Sequence, residues 1–294
     1  MNNKISNLPE DKEKIIKALI NKIKSKYRDD IAVVVCYGSY ITGSAYQKSD
    51  LDFFYIPKTN KGYEMNMQFV IDDIGYDFWP LSWERAEQIA NFKETITSII
   101  AEGVVVYYNK PADLKRFKSL KERIKELTTN PEYKNILINE AEKLLTRAKS
   151  IYFEMEYINE EYELVDSNCY QILNLIANAT ALLNSTYIKK GVYNIEDEVK
   201  NYSILPENYL NHFNLAVRSS SLKSKKEYIK KLILSLDELM RHNKPKKELE
   251  ITNKNFKGFY EELKKVAHQH EKVLINLLQE YRINIKEYKI YEFF

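Results

Sequence analysis

The pattern of apolar and polar positions divides the chain into two unlike halves. Over the first ~110 residues, short runs rich in β-branched and aromatic residues alternate with helical segments, which indicates strands and helices around one sheet. After Pro111, apolar residues recur at helical spacing and strand-like runs almost vanish. The pattern predicts an α+β fold, with a mixed sheet flanked by helices over residues 1–112 and an α-helical bundle over 113–294.

The individual elements follow from the same pattern. The predicted strands are Ile31–Tyr37, Leu51–Ile56, two strands within 66–80 around a turn at Asp73–Gly75, and Gly103–Tyr108. The predicted helices of the first half are 9–27, Ser82–Phe92 and Thr95–Glu102. Those of the second half are Ala112–Leu127, Ile136–Ile158, Ser167–Lys190, Pro206–Val217, Lys225–Arg241 and Asn255–Tyr281.

Composition narrows the class of protein. The net charge of +3 is small beside 45 basic and 42 acidic residues, so it does not favour nucleic acid as a partner. No apolar run approaches the roughly 18 residues of a membrane span. The first 14 residues lack the hydrophobic core of a secretory signal, and Cys36 and Cys169 suggest no disulfide framework. We expect a cytoplasmic protein without a membrane partner.

The stretch Tyr37–Phe54 carries the candidate chemistry. A buried strand is predicted to end at Gly38-Ser39, and ten residues later Asp50-Leu51-Asp52 opens the next strand. A glycine lets the backbone approach a phosphate closely, and a serine offers a hydroxyl and an N–H to phosphate oxygens. An isolated Asp-x-Asp is common in exposed turns, but its conjunction with a Gly-Ser turn between two strands is much more specific.

The two aspartates are expected to share one face of their strand, because residues i and i+2 project to the same side. Carboxylates held together repel each other unless a cation neutralises them, and Mg²⁺ prefers carboxylate and phosphate oxygens. A third acid is expected on a neighbouring strand. Asp77 is the best candidate because its neighbours in the sequence are apolar and aromatic, and Asp72 and Asp73 are its competitors.

This arrangement resembles the motif of the DNA polymerase β-like nucleotidyltransferases, in which a strand, Gly-Ser, about ten residues and Asp-x-Asp follow one another. Gly43 and Ser49-Asp50-Leu51-Asp52 are similar to the small bacterial members that modify aminoglycosides and lincosamides. The segment Ile99–Tyr108 also resembles a recurrent Glu-Gly-hydrophobic-Tyr strand of those enzymes. The likeness covers roughly residues 10–112. Many relatives have an arginine where this chain has Thr42, so other cations, of which Lys48 is the nearest in sequence, would meet the triphosphate charge.

The resemblance implies a function and assigns roles to residues. Gly38 and Ser39 would hold a nucleoside triphosphate, with ATP as the expected nucleotide. Asp50, Asp52 and Asp77 would bind Mg²⁺, with two ions expected, and Asp77 could instead take the proton of the acceptor hydroxyl. The enzyme would be an adenylyltransferase-like nucleotidyltransferase that moves a nucleoside monophosphate to a hydroxyl group.

The acceptor is expected to be a small molecule such as an aminoglycoside- or lincosamide-like antibiotic, which would make the enzyme a resistance factor. It would bind in a cleft lined by residues 136–190, where Glu154 and Glu156 are further candidates for a general base. A homodimer remains open. The alternatives are a toxin–antitoxin or regulatory nucleotidyltransferase that acts on a protein or RNA, and a binding protein that has lost catalysis. Genomic context would separate the first of these from the small-molecule enzyme.

Overall fold

The computed structural model describes residues 8–46, 49–157, 162–190 and 194–243. Residues 1–240 form one compact unit, and residues 241–294 form a second, of which the structure describes only 241–243. The predicted helix Asn255–Tyr281 therefore lies outside the described residues. No helix of the described part is both long enough and apolar enough to cross a membrane.

Five strands form one mixed sheet in the order β3-β4-β2-β1-β5. The strands are β1 (Ile31–Tyr37), β2 (Asp52–Pro57), β3 (Met67–Ile71), β4 (Ile74–Pro80) and β5 (Val104–Tyr108). β2 and β4 run parallel, and the other three neighbouring pairs are antiparallel. The turn between β3 and β4 has only two residues, Asp72 and Asp73, both at positive φ, as a tight hairpin turn of type I′ requires.

The helices of the described part are α1 (Glu10–Lys22), α2 (Ser39–Thr42), α3 (Trp83–Ala90), α4 (Ser98–Ala101), α5 (Pro111–Thr129), α6 (Lys134–Tyr157), α7 (Tyr162–Leu183), α8 (Ile195–Val199), α9 (Tyr209–Arg218) and α10 (Leu222–Asn243). A π-helical turn, Ile23–Tyr27, extends α1, and short 3₁₀ segments occupy Asn60–Met65 and Pro131–Tyr133. The predicted α+β fold is thus confirmed.

The two faces of the sheet pack against different partners. On one face, Val34, Phe53 and Phe78 lie in a buried cluster with Ile16 and Leu19 of α1. On the other face, Val35 and Phe54 belong to a buried cluster that includes Phe117 of α5 and continues through the later helices. Because this second core is continuous, the sheet and the helices up to residue 240 pack as one body, and a domain division at residue 112 stays a prediction.

Specific polar contacts fix the later helices against the first half of the chain. Asn174 of α7 donates to the Thr95 hydroxyl at 3.3 Å, and the Tyr187 hydroxyl donates to Glu102 Oε1 at 2.9 Å. Gly103 follows Glu102, and a Cβ there would lie 2.2 Å from the Ile99 carbonyl oxygen. The Glu-Gly pair that opens β5 therefore has a structural reason: the acid accepts a bond from the helical half, and the glycine allows close packing.

Most predicted elements are found within a few residues of their expected bounds, and three differ. The helix predicted over Ser167–Lys190 spans Tyr162–Leu183, and Ser185, just beyond its end, has a positive φ of 52°. The helix predicted over Thr95–Glu102 is confined to Ser98–Ala101, and the buried Thr97 before it donates to the Ile89 carbonyl at 3.3 Å. The short α8 was not predicted, since five residues give too little periodicity to recognise.

Candidate active site across neighbouring strands

The chain turns sharply where β1 ends. Gly38 has φ +85° and ψ −159°, a conformation open essentially to glycine alone, and it caps α2. A Cβ built on Gly38 would lie 1.9 Å from Oδ2 of Asp52, so only glycine lets this turn approach that carboxylate. Ser39 begins α2, and the first N–H groups of a helix have no acceptor within it. The Gly-Ser turn and Asp52 therefore lie side by side.

Internal hydrogen bonds hold the loop that leads to the aspartates. The Thr42 hydroxyl donates to the Gly38 carbonyl at 3.2 Å and lies 3.0 Å from the Ser44 hydroxyl. Further along, the N–H of Tyr46 donates to the buried Ser49 hydroxyl at 2.9 Å, and the N–H of Ser49 donates to the Tyr46 carbonyl at the same distance. Thr42 thus closes the turn through its side chain. Lys48 lies outside the described residues.

The two aspartates of the Asp-x-Asp pair alternate with a buried leucine, as the sequence predicts. Leu51 is fully buried in the core on the α1 side, whereas Asp50 and Asp52 are partly exposed. Asp52 is the first residue of β2, and Asp50 precedes the strand by two residues. Leucine therefore anchors this short segment while both carboxylates stay accessible.

Tyr37, Asp52, Asp77 and Gln68 form a row across four strands. Tyr37 is paired with Asp52, and Gln68 is paired with Asp77. Asp52 and Asp77 each directly precede one member of the Phe53–Phe78 pair that joins β2 to β4. Since cross-strand neighbours share a face, these side chains project to the same side of the sheet. That side is the face of Phe54, whose core continues into the later helices.

The three aspartates act on one another electrostatically. Burial first, and then the nearby charges of Asp50 and Asp77, raise the pKa of Asp52 to about 7. Both effects oppose ionisation, since a like charge and a low dielectric each disfavour the anion. The structure therefore brings together the three acids that the sequence singled out. Their roles in catalysis and metal binding stay predictions.

One argument that selected Asp77 is wrong. Its apolar neighbours do not surround it, because Tyr76 and Phe78 are buried on the α1 side while the Asp77 side chain is exposed on the other. The position of Asp77 in the row next to Asp52 supports its selection instead. Its competitors Asp72 and Asp73 form the hairpin turn four or five residues away, which is roughly 13–17 Å along a strand.

Tyr37 is a neighbour of the acids that the sequence did not single out. Burial, followed by the Asp52 charge, raises the pKa of its hydroxyl, so the hydroxyl keeps its proton. The oxygen accepts a hydrogen bond from Trp79 Nε1 at 2.9 Å. Its own proton can therefore be donated to a further group. Only the strand register, which places Tyr37 opposite Asp52, could have found it.

Trp79 and Trp83 are already engaged by arginines. The Arg85 guanidinium lies 5.6 Å from the centre of the Trp79 ring and is held by Glu94 at 2.9 Å, and Arg116 lies 4.3 Å from the centre of Trp83. Each tryptophan also packs against the core of this face. These contacts favour a structural role for both rings over a role in stacking on a base or acceptor.

The proposed general bases of the helical half lie on α6. Glu154 and Glu156 are both exposed, and Glu156 interacts with the Tyr152 hydroxyl, whose pKa is raised first by burial and then by that interaction. A role for either glutamate as a general base stays a prediction.

The acidic side chains around Asp52 fit Mg²⁺. Asp52 carries a partly buried carboxylate beside two like charges, an arrangement that a divalent cation would stabilise, and carboxylate oxygens are the ligands Mg²⁺ prefers. Within the described ranges, no three or more His, Cys, Asp or Glu side chains converge tightly enough to form a complete metal-binding group. Since Mg²⁺ commonly takes one or two carboxylates and completes its shell with water and substrate phosphates, these two observations are compatible.

The pKa of Asp52 gives a testable dependence of stability on pH. An acid whose pKa is about 3.8 when unfolded and about 7 when folded binds more protons in the folded state between these values. Its contribution to stability is therefore complete below pH 4 and is lost as the pH rises to 7 and above. At about 1.4 kcal/mol per pKa unit, the full loss is on the order of 4 kcal/mol, and about half of it falls between pH 5.5 and 8. Urea unfolding in EDTA at pH 5.5 and 8 measures it, and Asp52→Asn should remove the difference attributable to this residue.

Comparison with known proteins agrees with this geometry. Residues 13–112 match the family described as polymerase beta, nucleotidyltransferase. A Methanocaldococcus jannaschii protein provisionally named a protein adenylyltransferase is 34% identical over 62 residues, which are 21% of this chain and 56% of that protein. The chain thus matches little more than half the length of that relative. The crystal structure of a nucleotidyltransferase-like protein from Exiguobacterium sibiricum is similar with a TM-score of 0.41 and 10% identity, over 94% of this chain and 91% of that chain.

Proposed function

Because residues 13–112 belong to the polymerase β nucleotidyltransferase family, we propose that this protein transfers a nucleoside monophosphate from a nucleoside triphosphate to an acceptor hydroxyl. The observation that carries the proposal is the close approach of Asp52 to the Gly38-Ser39 turn, with Asp50 and Asp77 near enough for their charges to act on Asp52. Such a reaction depends more on positioning and charge neutralisation than on covalent catalysis.

The residues of the site would divide the work as follows. Ser39 and the N–H groups at the start of α2 would bind phosphate oxygens, and Gly38 would leave room for them. Asp50 and Asp52 would hold Mg²⁺ together with Asp77, and the bound metal would supply charge neutralisation for the triphosphate. ATP is the proposed nucleotide.

The transfer itself can be written with its atoms balanced. The acceptor oxygen forms a bond to the α-phosphorus, and the bond from that phosphorus to the bridging oxygen of the β-phosphate breaks, which releases pyrophosphate. The acceptor hydroxyl loses its proton to a carboxylate. Asp77 is the proposed base, as the alternative to its role as a metal ligand, because it is the most exposed of the three acids.

We propose a small polyhydroxylated, cationic acceptor, of the kind represented by aminoglycosides and lincosamides. Support comes from the resemblance of the Gly43 and Ser49-Asp50-Leu51-Asp52 segment to enzymes that modify such compounds. It also comes from the face on which the acids lie, because Asp52 and Asp77 project toward the side of the later helices. The Methanocaldococcus jannaschii relative is named as a protein adenylyltransferase. A protein acceptor is therefore the alternative that the experiment has to distinguish from a small molecule.

A screen with nucleotides labelled at the α-phosphate tests the function. Purified protein is incubated with each labelled triphosphate, Mg²⁺ or EDTA, and panels of aminoglycosides and lincosamides, and the small-molecule and protein fractions are separated. Label in the small-molecule fraction that needs Mg²⁺ is expected. Label in protein alone would replace the small acceptor with a protein, and no labelled product with any acceptor would contradict nucleotidyl transfer.

Asp77→Asn should lower turnover by about 10²-fold or more, the scale expected when a general base or a key charge is removed. The variant keeps the size of the side chain and leaves the exposed position otherwise unchanged, so the fold should be unaffected. Asp73→Asn, in the hairpin turn that precedes β4, is the matched control and should keep full turnover. If the two variants had equal activity, Asp77 would not be the third acid of the site.

A further inference from the structure

The outer edge of the sheet is unusually apolar. β3 has the sequence Met-Gln-Phe-Val-Ile and lies at the end of the five-stranded sheet that the described residues form. Val70 is 70% exposed and Ile71 is 42% exposed. The strand itself carries no charge, although charged residues or proline normally guard such an edge against pairing with another strand. The edge therefore has the properties of a pairing surface.

A groove runs beside this edge, between α1 and the β3–β4 hairpin. Its volume is about 570 Å³, and Ile15, Leu19, Met67, Phe69 and Ile71 are among its lining residues. Four charged residues border it, and two of them, Asp11 and Lys14, already form ion pairs with Lys12 and Glu10. The other two, Lys22 and Asp72, have opposite signs. Lys22 lies at the Met67 end, where its Nζ is 3.7 Å from the Met67 sulfur, and Asp72 lies at the other end of the strand.

The hairpin geometry shows which backbone groups of β3 face outward. In a hairpin with a two-residue turn, the residues that flank the turn exchange hydrogen bonds, and alternate residues then do the same. Here the flanking pair is Ile71 and Ile74. Ile71, Phe69 and Met67 accordingly direct their backbone groups to β4, and Gln68 and Val70 direct theirs away from the sheet.

We propose that two copies of this chain associate edge to edge through β3, antiparallel about a twofold axis at Phe69. This register places Gln68 of each copy opposite Val70 of the other, which pairs the outward N–H and C=O groups of both. The two Phe69 residues then face each other as a non-hydrogen-bonded pair, in which side chains lie closest. A single twofold contact uses the same surface on both copies and closes the assembly at a dimer.

The charges at the groove complement each other in this register. Because Ile71 of one copy lies opposite Met67 of the other, Asp72 of one copy comes beside the end of β3 where the second copy carries Lys22. The twofold axis repeats the pair, so the dimer gains two contacts between opposite charges. Neither Lys22 nor Asp72 forms an ion pair with another residue that the structure describes. This complementarity selects a second copy as the occupant of the edge.

Sedimentation equilibrium of the full chain between about 1 and 100 µM tests the dimer. An interface of one short strand and its flanks is small, so we expect a dissociation constant on the order of 10 µM. Val70→Pro removes an outward N–H without touching the ladder to β4, and it should abolish association. Val70→Thr keeps that N–H and a β-branched shape, and it should still dimerise. A wild-type chain that stays monomeric throughout, or that forms open polymers, would overturn the proposal.

Charge exchange tests the register. Asp72→Lys should weaken dimerisation by about tenfold or more, and the double variant Asp72→Lys, Lys22→Asp should restore it to within about threefold of the wild type. Asp73→Lys is the matched control, because Asp73 shares the positive φ and the turn but does not border the groove, and it should dimerise normally. If Asp72→Lys and Asp73→Lys weakened dimerisation equally, or if the double variant did not restore dimerisation, the copies would not meet in this register.

Discussion

Asp52→Asn should lower nucleotidyl transfer by about 10³-fold or more and, at the same time, stabilise the metal-free protein at pH 8. Both effects come from one charge. In the proposed site the carboxylate would hold Mg²⁺ with Asp50, yet without a cation it is partly buried beside two like charges. Asparagine keeps the shape and removes the repulsion. Initial rates with saturating triphosphate and the midpoint of thermal unfolding in EDTA measure the two effects.

The opposite signs of these effects make the Asp52 experiment decisive. A residue that served only the fold would lose activity and stability together. A variant that keeps full activity would exclude Asp52 from the metal site, and one that is less stable in EDTA at pH 8 would contradict the electrostatic coupling of the three acids. Asp73→Asn again serves as the control, because it removes an exposed aspartate from the same domain.

Gly38→Ala should reduce transfer by at least about 10²-fold, for a steric rather than an electrostatic reason. The new Cβ would stand 1.9 Å from Asp52 Oδ2 and 2.9 Å from Asp52 Cγ, at a φ of +85°. The turn or the carboxylate must therefore shift, and displacement of a group in the active site by about 1 Å is enough for such a loss. The backbone strain should also cost about 1–3 kcal/mol of stability. Turnover and urea unfolding give the two values.

Gly43→Ala separates the clash from the strain. Gly43 also has a positive φ, +78°, but a Cβ there meets nothing within 4 Å. It should lose about 1 kcal/mol of stability and keep most of its activity. Should the two alanine variants lose activity equally, the close approach of Gly38 to Asp52 would not be the reason that glycine is required.

The elements of this fold are largely predictable because local signals agree with the final packing. The β-branched run at β1 and the Ser82 cap of α3, whose hydroxyl accepts from the Arg85 N–H at 3.1 Å, are both visible in the sequence. The burial of Leu51 is also predictable from the sequence, because alternation along a strand requires Leu51 to face away from Asp50 and Asp52. These features depend on neighbours within a few positions, and a single sequence contains that information.

What could not be predicted depends on contacts between distant residues. The placement of Tyr37 opposite Asp52 follows from the register of β1 and β2, which hydrophobic pattern alone does not determine. Lys12 is a second example: it is 2% exposed, and its ammonium donates to the Tyr76 hydroxyl and lies 5.7 Å from the centre of the Tyr40 ring. From the helical pattern alone, Lys12 would be predicted to lie on the surface. Only the tertiary fold places Tyr76 and Tyr40 next to it.

The hydrogen bond from Trp79 to Tyr37 also gives the chain an optical probe of its own. The chain has only two tryptophans, Trp79 and Trp83, and both pack on the face that carries the aspartates. Trp79 donates a hydrogen bond to the Tyr37 hydroxyl, whose pKa is raised in part by the charges of Asp52, Asp77 and Asp50. The emission of an indole responds to the electric field around it, so the intrinsic fluorescence of Trp79 is coupled to the charge state of the site. Replacing Trp83 with phenylalanine would isolate that signal, and ligand binding could then be followed without any attached dye.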